Sequence, residues 1–150
     1  MKRILVISDS HGYKSRLGTL LMKAESLGQL DAVVHLGDGY TDMREFEAHL
    51  PPLYATPGNC DGDRGTVFTP EFDGVTVLMT HGHGMHVKLG LYEITAAARR
   101  AEAKVALFGH THRPFCEERD GVLLVNPGAA MDGHFAILTV ENGSVSAQLY

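Results

Sequence analysis

The chain has 150 residues, 44% of them hydrophobic and 21% charged, with a formal charge of −5 when histidine is neutral. That length suits one domain over residues 1–150, with enough apolar content for a buried core. The acidic balance argues against a long nucleic-acid partner, and no apolar run approaches the ~20 residues of a membrane-spanning helix.

Residues 3–8 (RILVIS) form a short apolar run that enters the polar "DSHG". Its apolar part, Ile4 to Ile7, is too short for the hydrophobic region of a signal peptide, so cytoplasm is the expected location. Leu17, Leu20, Leu21, Ala24 and Leu27 then recur on one face at helical spacing, which predicts a helix stopped at Gly28. "AVVHL" at 32–36 predicts a second strand, ending in "GDG". Met43, Phe46 and Leu50 predict a shorter amphipathic helix, closed by Pro51-Pro52. "LYATP" at 53–57 predicts a third strand that enters "GNCDGD". The opening third thus has the β-α-β-α-β pattern of buried parallel strands.

Further on, "VTVLMTH" at 75–81 predicts a strand and "GHGMHVKLG" at 82–90 a mobile loop. Leu91, Ile94, Ala98 and Ala101 predict a helix over 91–103, followed by a strand entering "LFGHTHRPF". Asp120-Gly121 and Asn142-Gly143 each separate two strand-like runs and predict hairpins. Cys60 and Cys116 lie far apart and suggest no disulfide framework. The expected class is α/β, with two packed mixed sheets flanked by helices.

Polar residues of restricted type follow the apolar runs. Asp9 and His11 follow the first, Asp38 the second, Asn59 the third, His81 the run at 75–80, and His110 and His112 the run at 104–108. Strand ends of parallel sheets gather along one edge, where ligands bind. Taken singly, DSH, GDG or GNCD is an ordinary turn; their recurrence in order after five runs is not explained by turn chemistry. Two carboxylates, four imidazoles and one amide, without thiolates, suit Mn²⁺, Ni²⁺, Fe²⁺ or Zn²⁺. The set is too large for one tetrahedral ion but suits two ions about 3.5–4 Å apart that share a ligand. Asp38, alone in its glycine-flanked turn, is the candidate bridge, since a carboxylate has two oxygens to offer.

The ordered set DxH, GD, GN, H and GHxH resembles that of the calcineurin-like metallophosphoesterases, and the size is similar to their small prokaryotic phosphodiesterase branch. The likeness runs from Asp9 to "NPGA" at 126–129, which looks like that branch's NPGS turn with Ala129 for serine. It implies a four-layer α/β/β/α sandwich. It also implies one metal on Asp9, His11, Asp38 and His112 and a second on Asp38, Asn59, His81 and His110, most simply two Mn²⁺. The wider family's GNHD histidine, which protonates the leaving group, is replaced here by Cys60, as is frequent in the small branch. A thiol is a poor stand-in for imidazolium, so good leaving groups are expected; His83 and His86 lie near in sequence. Asp61, the acid of that motif, is expected to orient a neighbour or cap the turn.

The implied activity is hydrolysis of a small phosphodiester by a metal-bridging hydroxide, with Asp38, Asn59 and His81 acting at the reacting centre. Arg64 and Arg113 are candidate clamps for a monoester dianion, so a phosphomonoesterase or nucleotide phosphatase is the alternative. A non-catalytic protein-binding scaffold, similar to a retromer subunit of this fold, is a third class, for which altered metal ligands would be expected. A homo-oligomer is left open.

Overall fold

The computed structural model describes residues 1–150, without a cis peptide bond. The strands are β1 (Lys2–Ile7), β2 (Ala32–His35), β3 (Leu53–Ala55), β4 (Val67–Phe68), β5 (Glu71–Phe72), β6 (Val75–Thr80), β7 (Val105–Leu107), β8 (Phe115–Arg119), β9 (Val122–Asn126), β10 (Ala136–Glu141) and β11 (Ser144–Leu149), with helices α1 (Lys14–Ser26) and α2 (Tyr92–Arg100). No helix is long and apolar enough to cross a membrane.

One sheet has the order β11-β10-β1-β2-β3, and the other runs β4-β6-β7-β9-β8 with β5 also on β6. In the first, β1, β2 and β3 are parallel; in the second, β6, β7 and β9 are parallel. Antiparallel hairpins close the outer edges, β10 with β11 and β9 with β8. They turn at Asn142-Gly143 and Asp120-Gly121, where both residues of each pair have positive φ. This is the backbone that a two-residue hairpin turn matched to strand twist requires.

Strand alternation builds the layers. Ile4 and Val6 of β1 face Val77, Met79, Val105 and Leu107 of the other sheet in one apolar cluster. The intervening Leu5 and Ile7 turn outward onto Leu17, Leu20, Leu21 and Ala24 of α1. On the far side, Leu78, Ala106 and Leu124 pack on Ile94 and Ala98 of α2. The central strands are apolar on both faces because both faces are covered. The result is the four-layer α/β/β/α sandwich.

Three details differ from the expected elements. Residues 40–45 and 47–49 form short 3-10 turns rather than an α-helix, a segment too short to sustain α-helical nucleation before Pro51. β4 and β5 are two-residue strands without any alternation to announce them. The 82–90 segment, expected as a mobile loop, contains a 3-10 turn at His83–Met85 and is anchored by buried Val87 against Phe108 and Ile94.

Candidate metal centre

The loops after β1, β2, β3, β6 and β7 meet on one edge of the sandwich, tied by backbone hydrogen bonds. Asp9 N–H donates to Gly37 O at 2.9 Å, His11 N–H to Asp38 O at 3.0 Å, and Gly109 N–H to His81 O at 2.8 Å. Two glycines permit the approach: a Cβ on Gly58 would collide with Asp38 Oδ1, and one on Gly109 with Ser8 Oγ. Asp9, His11, Asp38, His110 and His112 all have φ between 47 and 70°. Left-handed backbone is unfavourable for such residues and persists where the surroundings over-determine it.

Each side chain holds one polar atom back from the frame. Asp9 Oδ2 accepts from Ser8 Oγ at 2.5 Å and from His110 N–H at 3.1 Å. Its Oδ1 stands free, 3.1 Å from His112 Nε2 and 3.5 Å from His11 Nε2. Asp38 Oδ1 accepts from Cys60 N–H at 2.8 Å, so Oδ2 is the oxygen presented to both halves, 3.3 Å from His81 Nε2 and 3.7 Å from His11 Nε2. Asp38 thus stands between the two halves with Oδ2 as the oxygen that faces both. His81 Nδ1 donates to Leu36 O at 2.8 Å; a carbonyl can only accept, so His81 Nε2 carries the free lone pair.

Buried polar atoms without a hydrogen-bond partner are Asp9 Oδ1, His11 Nε2, Asn59 Oδ1 and His81 Nε2. All four belong to the set singled out in the sequence, and such atoms are expensive unless something pairs them. Potential ligand atoms fall into an Asp9–His11–His112 group, an Asp38–His81–His110 group and a His11–Asp38–Cys60 group between them, the atoms of each within 4.8 Å of one another. The donor set is oxygen and imidazole nitrogen, which fits a pair of divalent cations. Asp9, His11, His112 and Asp38 could hold one, and Asp38, Asn59, His81 and His110 the other. Desolvation, then the neighbouring His81, pushes His110 down to about 4, leaving it neutral, as a ligand must be.

The GNCD residues divide. Asp61 turns away from the centre and accepts three backbone N–H groups, from Asp38 at 2.7 Å, Gly58 at 3.0 Å and Gly39 at 3.1 Å. It orients its neighbours. Cys60 is exposed and its side chain lies beside His11 and Asp38. Partial desolvation, then the Asp38 carboxylate, pushes its thiol above the ordinary value, so it is protonated at neutral pH. Of the two nearby histidines, His83 places Nδ1 3.5 Å from His110 Nε2. His86 is drawn away to Glu93 Oε2 at 3.0 Å.

A supporting layer went unread in the sequence. His35 Nδ1 accepts from Gly37 N–H at 3.1 Å, so Nε2–H donates to Ser10 Oγ at 3.0 Å. Ser10 in turn donates to Asp42 Oδ2 at 2.7 Å, which also accepts from Gly12 N–H at 2.8 Å. This chain fixes the Asp9–His11 turn from behind, and burial holds His35 down to about 4. Asn126 does the same for the GHTH turn: its Nδ2 donates to Gly109 O and Thr111 Oγ1, both at 3.0 Å. The signal for His35 is a histidine inside the apolar run "AVVHL"; nothing local marks Ser10 or Asp42.

Residues 1–143 match the family model described as the calcineurin-like phosphoesterase superfamily domain. The chain belongs to this superfamily. Among curated relatives, a probable metallophosphoesterase, YsnB of Bacillus subtilis, is 32% identical over 155 residues, covering 98% of this chain and 89% of its own. Among solved structures, that of a novel archaeal phosphodiesterase is 25% identical with a TM-score of 0.76, covering 99% of both chains. Vacuolar protein sorting 29 of Cryptosporidium parvum shares the fold at 15% identity and a TM-score of 0.73, covering 99% of this chain and 96% of its own. The chain therefore shares its fold both with a protein named a phosphodiesterase and with a sorting protein.

Proposed function

We propose that this phosphoesterase is a two-metal phosphodiesterase acting on small phosphodiesters. The observation that carries the reading is the convergence of four partnerless buried atoms, Asp9 Oδ1, His11 Nε2, Asn59 Oδ1 and His81 Nε2, with Asp38 Oδ2 3.3 Å from His81 Nε2. Such a set is costly to bury and is explained by cations. When bound, a pair of divalent ions, with Mn²⁺ the first choice, supplies Lewis acidity at the phosphoryl oxygens and lowers the pKa of water.

The chain's own residues supply the rest. Asp9 and Asp38 bring negative charge into a buried edge and so set the cation requirement. The Leu36 carbonyl and the Asp61 carboxylate fix the directions of His81 and Asp38. The Asn59 side-chain carbonyl oxygen is buried without a partner, and its Nδ2 lies 3.7 Å from Cys60 Sγ. The raised Cys60 thiol is a weak proton donor, so an alcohol of low pKa leaves most readily. The hydroxyls nearest the centre, Ser8 and Ser10, are buried and are used up in the frame by their bonds to Asp9 and Asp42, so the attacking group is water and no covalent protein intermediate is needed. A diester, with one negative charge, needs no cationic clamp beyond the metals. The cytoplasm is the proposed site of action.

The test is Mn²⁺-dependent hydrolysis of bis(p-nitrophenyl) phosphate beside the monoester p-nitrophenyl phosphate, with Asp38→Asn as the inactive control. Diester turnover that needs metal and is lost in the variant supports the proposal. A preference for the monoester turns it into a phosphatase. Turnover of neither, by folded protein with metal bound, removes the hydrolase reading and leaves a scaffold.

A further inference from the structure

A second feature adjoins the centre. A pocket of about 640 Å³ opens beside the GHTH turn, walled by Leu91, Pro114 and Phe115 and flanked by Lys88, Thr111 and Arg113. Its volume lies within the range of small-molecule sites. Thr111, which lines it, lies between the candidate ligands His110 and His112, so the pocket abuts the GHTH turn. Thr111 is also held in place, its Oγ1 accepting from Asn126 Nδ2 at 3.0 Å and from Arg113 N–H at 3.1 Å.

The charge at the pocket runs against the chain as a whole. Acidic residues outnumber basic ones 18 to 13, yet the two charged residues lining this pocket are both cations. Neither Lys88 nor Arg113 takes part in an ion pair; the acid–base pairs of the chain lie at Asp9, Asp38, Glu93 and Glu117. Both heads are therefore free to receive an anion. The wall between them is apolar and partly aromatic. The Phe115 ring lies tilted against Phe108, with centroids 6.4 Å apart, and Arg119 covers it at 5.5 Å from its centroid. A flat ring against this wall and an anion between the two cations is the complementary ligand.

We infer that this pocket, between α2 and the GHTH turn, is a nucleotide subsite that receives a base on the Leu91–Phe115 wall and a phosphate beyond the scissile one between Lys88 and Arg113. It rests on the phosphodiesterase reading in one respect, that the scissile group lies at the metal centre. The substrate class is then a short oligonucleotide, of which the linear diadenylate pApA is the simplest member with a second phosphate. Long duplexes are disfavoured, because the two cations form a local site rather than a stripe.

The probe is pApA, measured by titration calorimetry on metal-free protein, so that binding is read apart from turnover. Wild-type protein is expected to bind it, and Lys88→Ala/Arg113→Ala to bind about tenfold or more weakly. The melting temperature of that variant and its rise on adding Mn²⁺ are expected to match those of wild type, so that weaker pApA binding is not a loss of fold or of metal. Equal affinity in wild type and variant, or no binding at millimolar pApA, overturns the subsite even if the diester is hydrolysed. Pyrophosphate binding as tightly as pApA overturns the base on the apolar wall. pApA binding that the double variant weakens, by a protein that hydrolyses no diester, supports the subsite and removes only the hydrolase reading.

Discussion

Asp61 accepts the backbone N–H of Asp38 at 2.7 Å across 23 residues of sequence. The same carboxylate holds Gly58 and Gly39, so one side chain joins the turns after β2 and β3 and sets where Asp38 and Asn59 point. Charge-assisted bonds of this type are worth about 1.5–3 kcal/mol each when lost from buried groups. Asp61→Asn would set an NH₂ donor among three N–H donors. The expected outcome is a stability loss of about 2 kcal/mol in urea melts and Mn²⁺ affinity lower by about 10–100-fold in calorimetry. Unaltered metal affinity would show that Asp61 only closes a turn.

Metal itself is expected to stabilise the fold, because partnerless buried ligands in the apo protein gain their partner on binding. At 100 times Kd the gain is about 2.7 kcal/mol, read as a rise in melting temperature with Mn²⁺ that a chelator reverses. Asp38→Asn should abolish most of that rise. A melting temperature indifferent to every divalent ion would remove the metal centre.

Gly58 and Gly109 test the close approach of the loops. Gly58 has φ −106°, which any residue can adopt, so alanine there adds only a Cβ against Asp38. Because the obstacle is a held carboxylate, Gly58→Ala is expected to displace Asp38 and cost about 1–3 kcal/mol, the range for overpacking. Loss of Mn²⁺ binding beyond the loss of stability would be seen by calorimetry at a temperature where the variant is folded.

His35 makes the fold sensitive to acid. It titrates at about 4 when folded, against about 6.5 in an unfolded chain. The unfolded state therefore takes up the proton first. Stability is fully present above pH 6.5 and falls as the pH drops toward 4, by on the order of 3 kcal/mol. In metal-free protein, urea melts between about pH 7.5 and pH 5 should show a smaller loss for His35→Gln than for wild type. Parallel losses in the two proteins would place the sensitivity elsewhere.

Cys60→His would restore an imidazole at the position beside His11 and Asp38. It is expected to raise turnover of diesters with alkyl leaving groups by about 10–100-fold, within the range for general acid catalysis, while leaving aryl esters little changed. Equal effects on both classes would assign the gain to binding.

The residue pattern alone implies the layers and names the candidate ligands. Ile4 to Ile7 and Val105 to Leu107 are continuous apolar runs, which only a sheet covered on both faces can bury. Asp9, Asp38, His81 and His110 end such runs, and strand ends of a parallel sheet share an edge. Dipeptides such as Asn142-Gly143 marked the hairpins because the turn's backbone selects them. The two-residue strands β4 and β5 have no signature in the sequence, since two residues display no period. Which atom of each side chain remains free depends instead on contacts between distant loops. Asp38 Oδ2 faces the centre because Cys60, 22 residues away, occupies Oδ1, and His81 presents Nε2 because Leu36 O, 45 residues away, takes Nδ1. His35, Ser10 and Asp42 form one relay over separations of 25 and 32 residues. Hydrogen bonds of that kind depend on where loops from different strands cross, and local residue patterns carry no record of it.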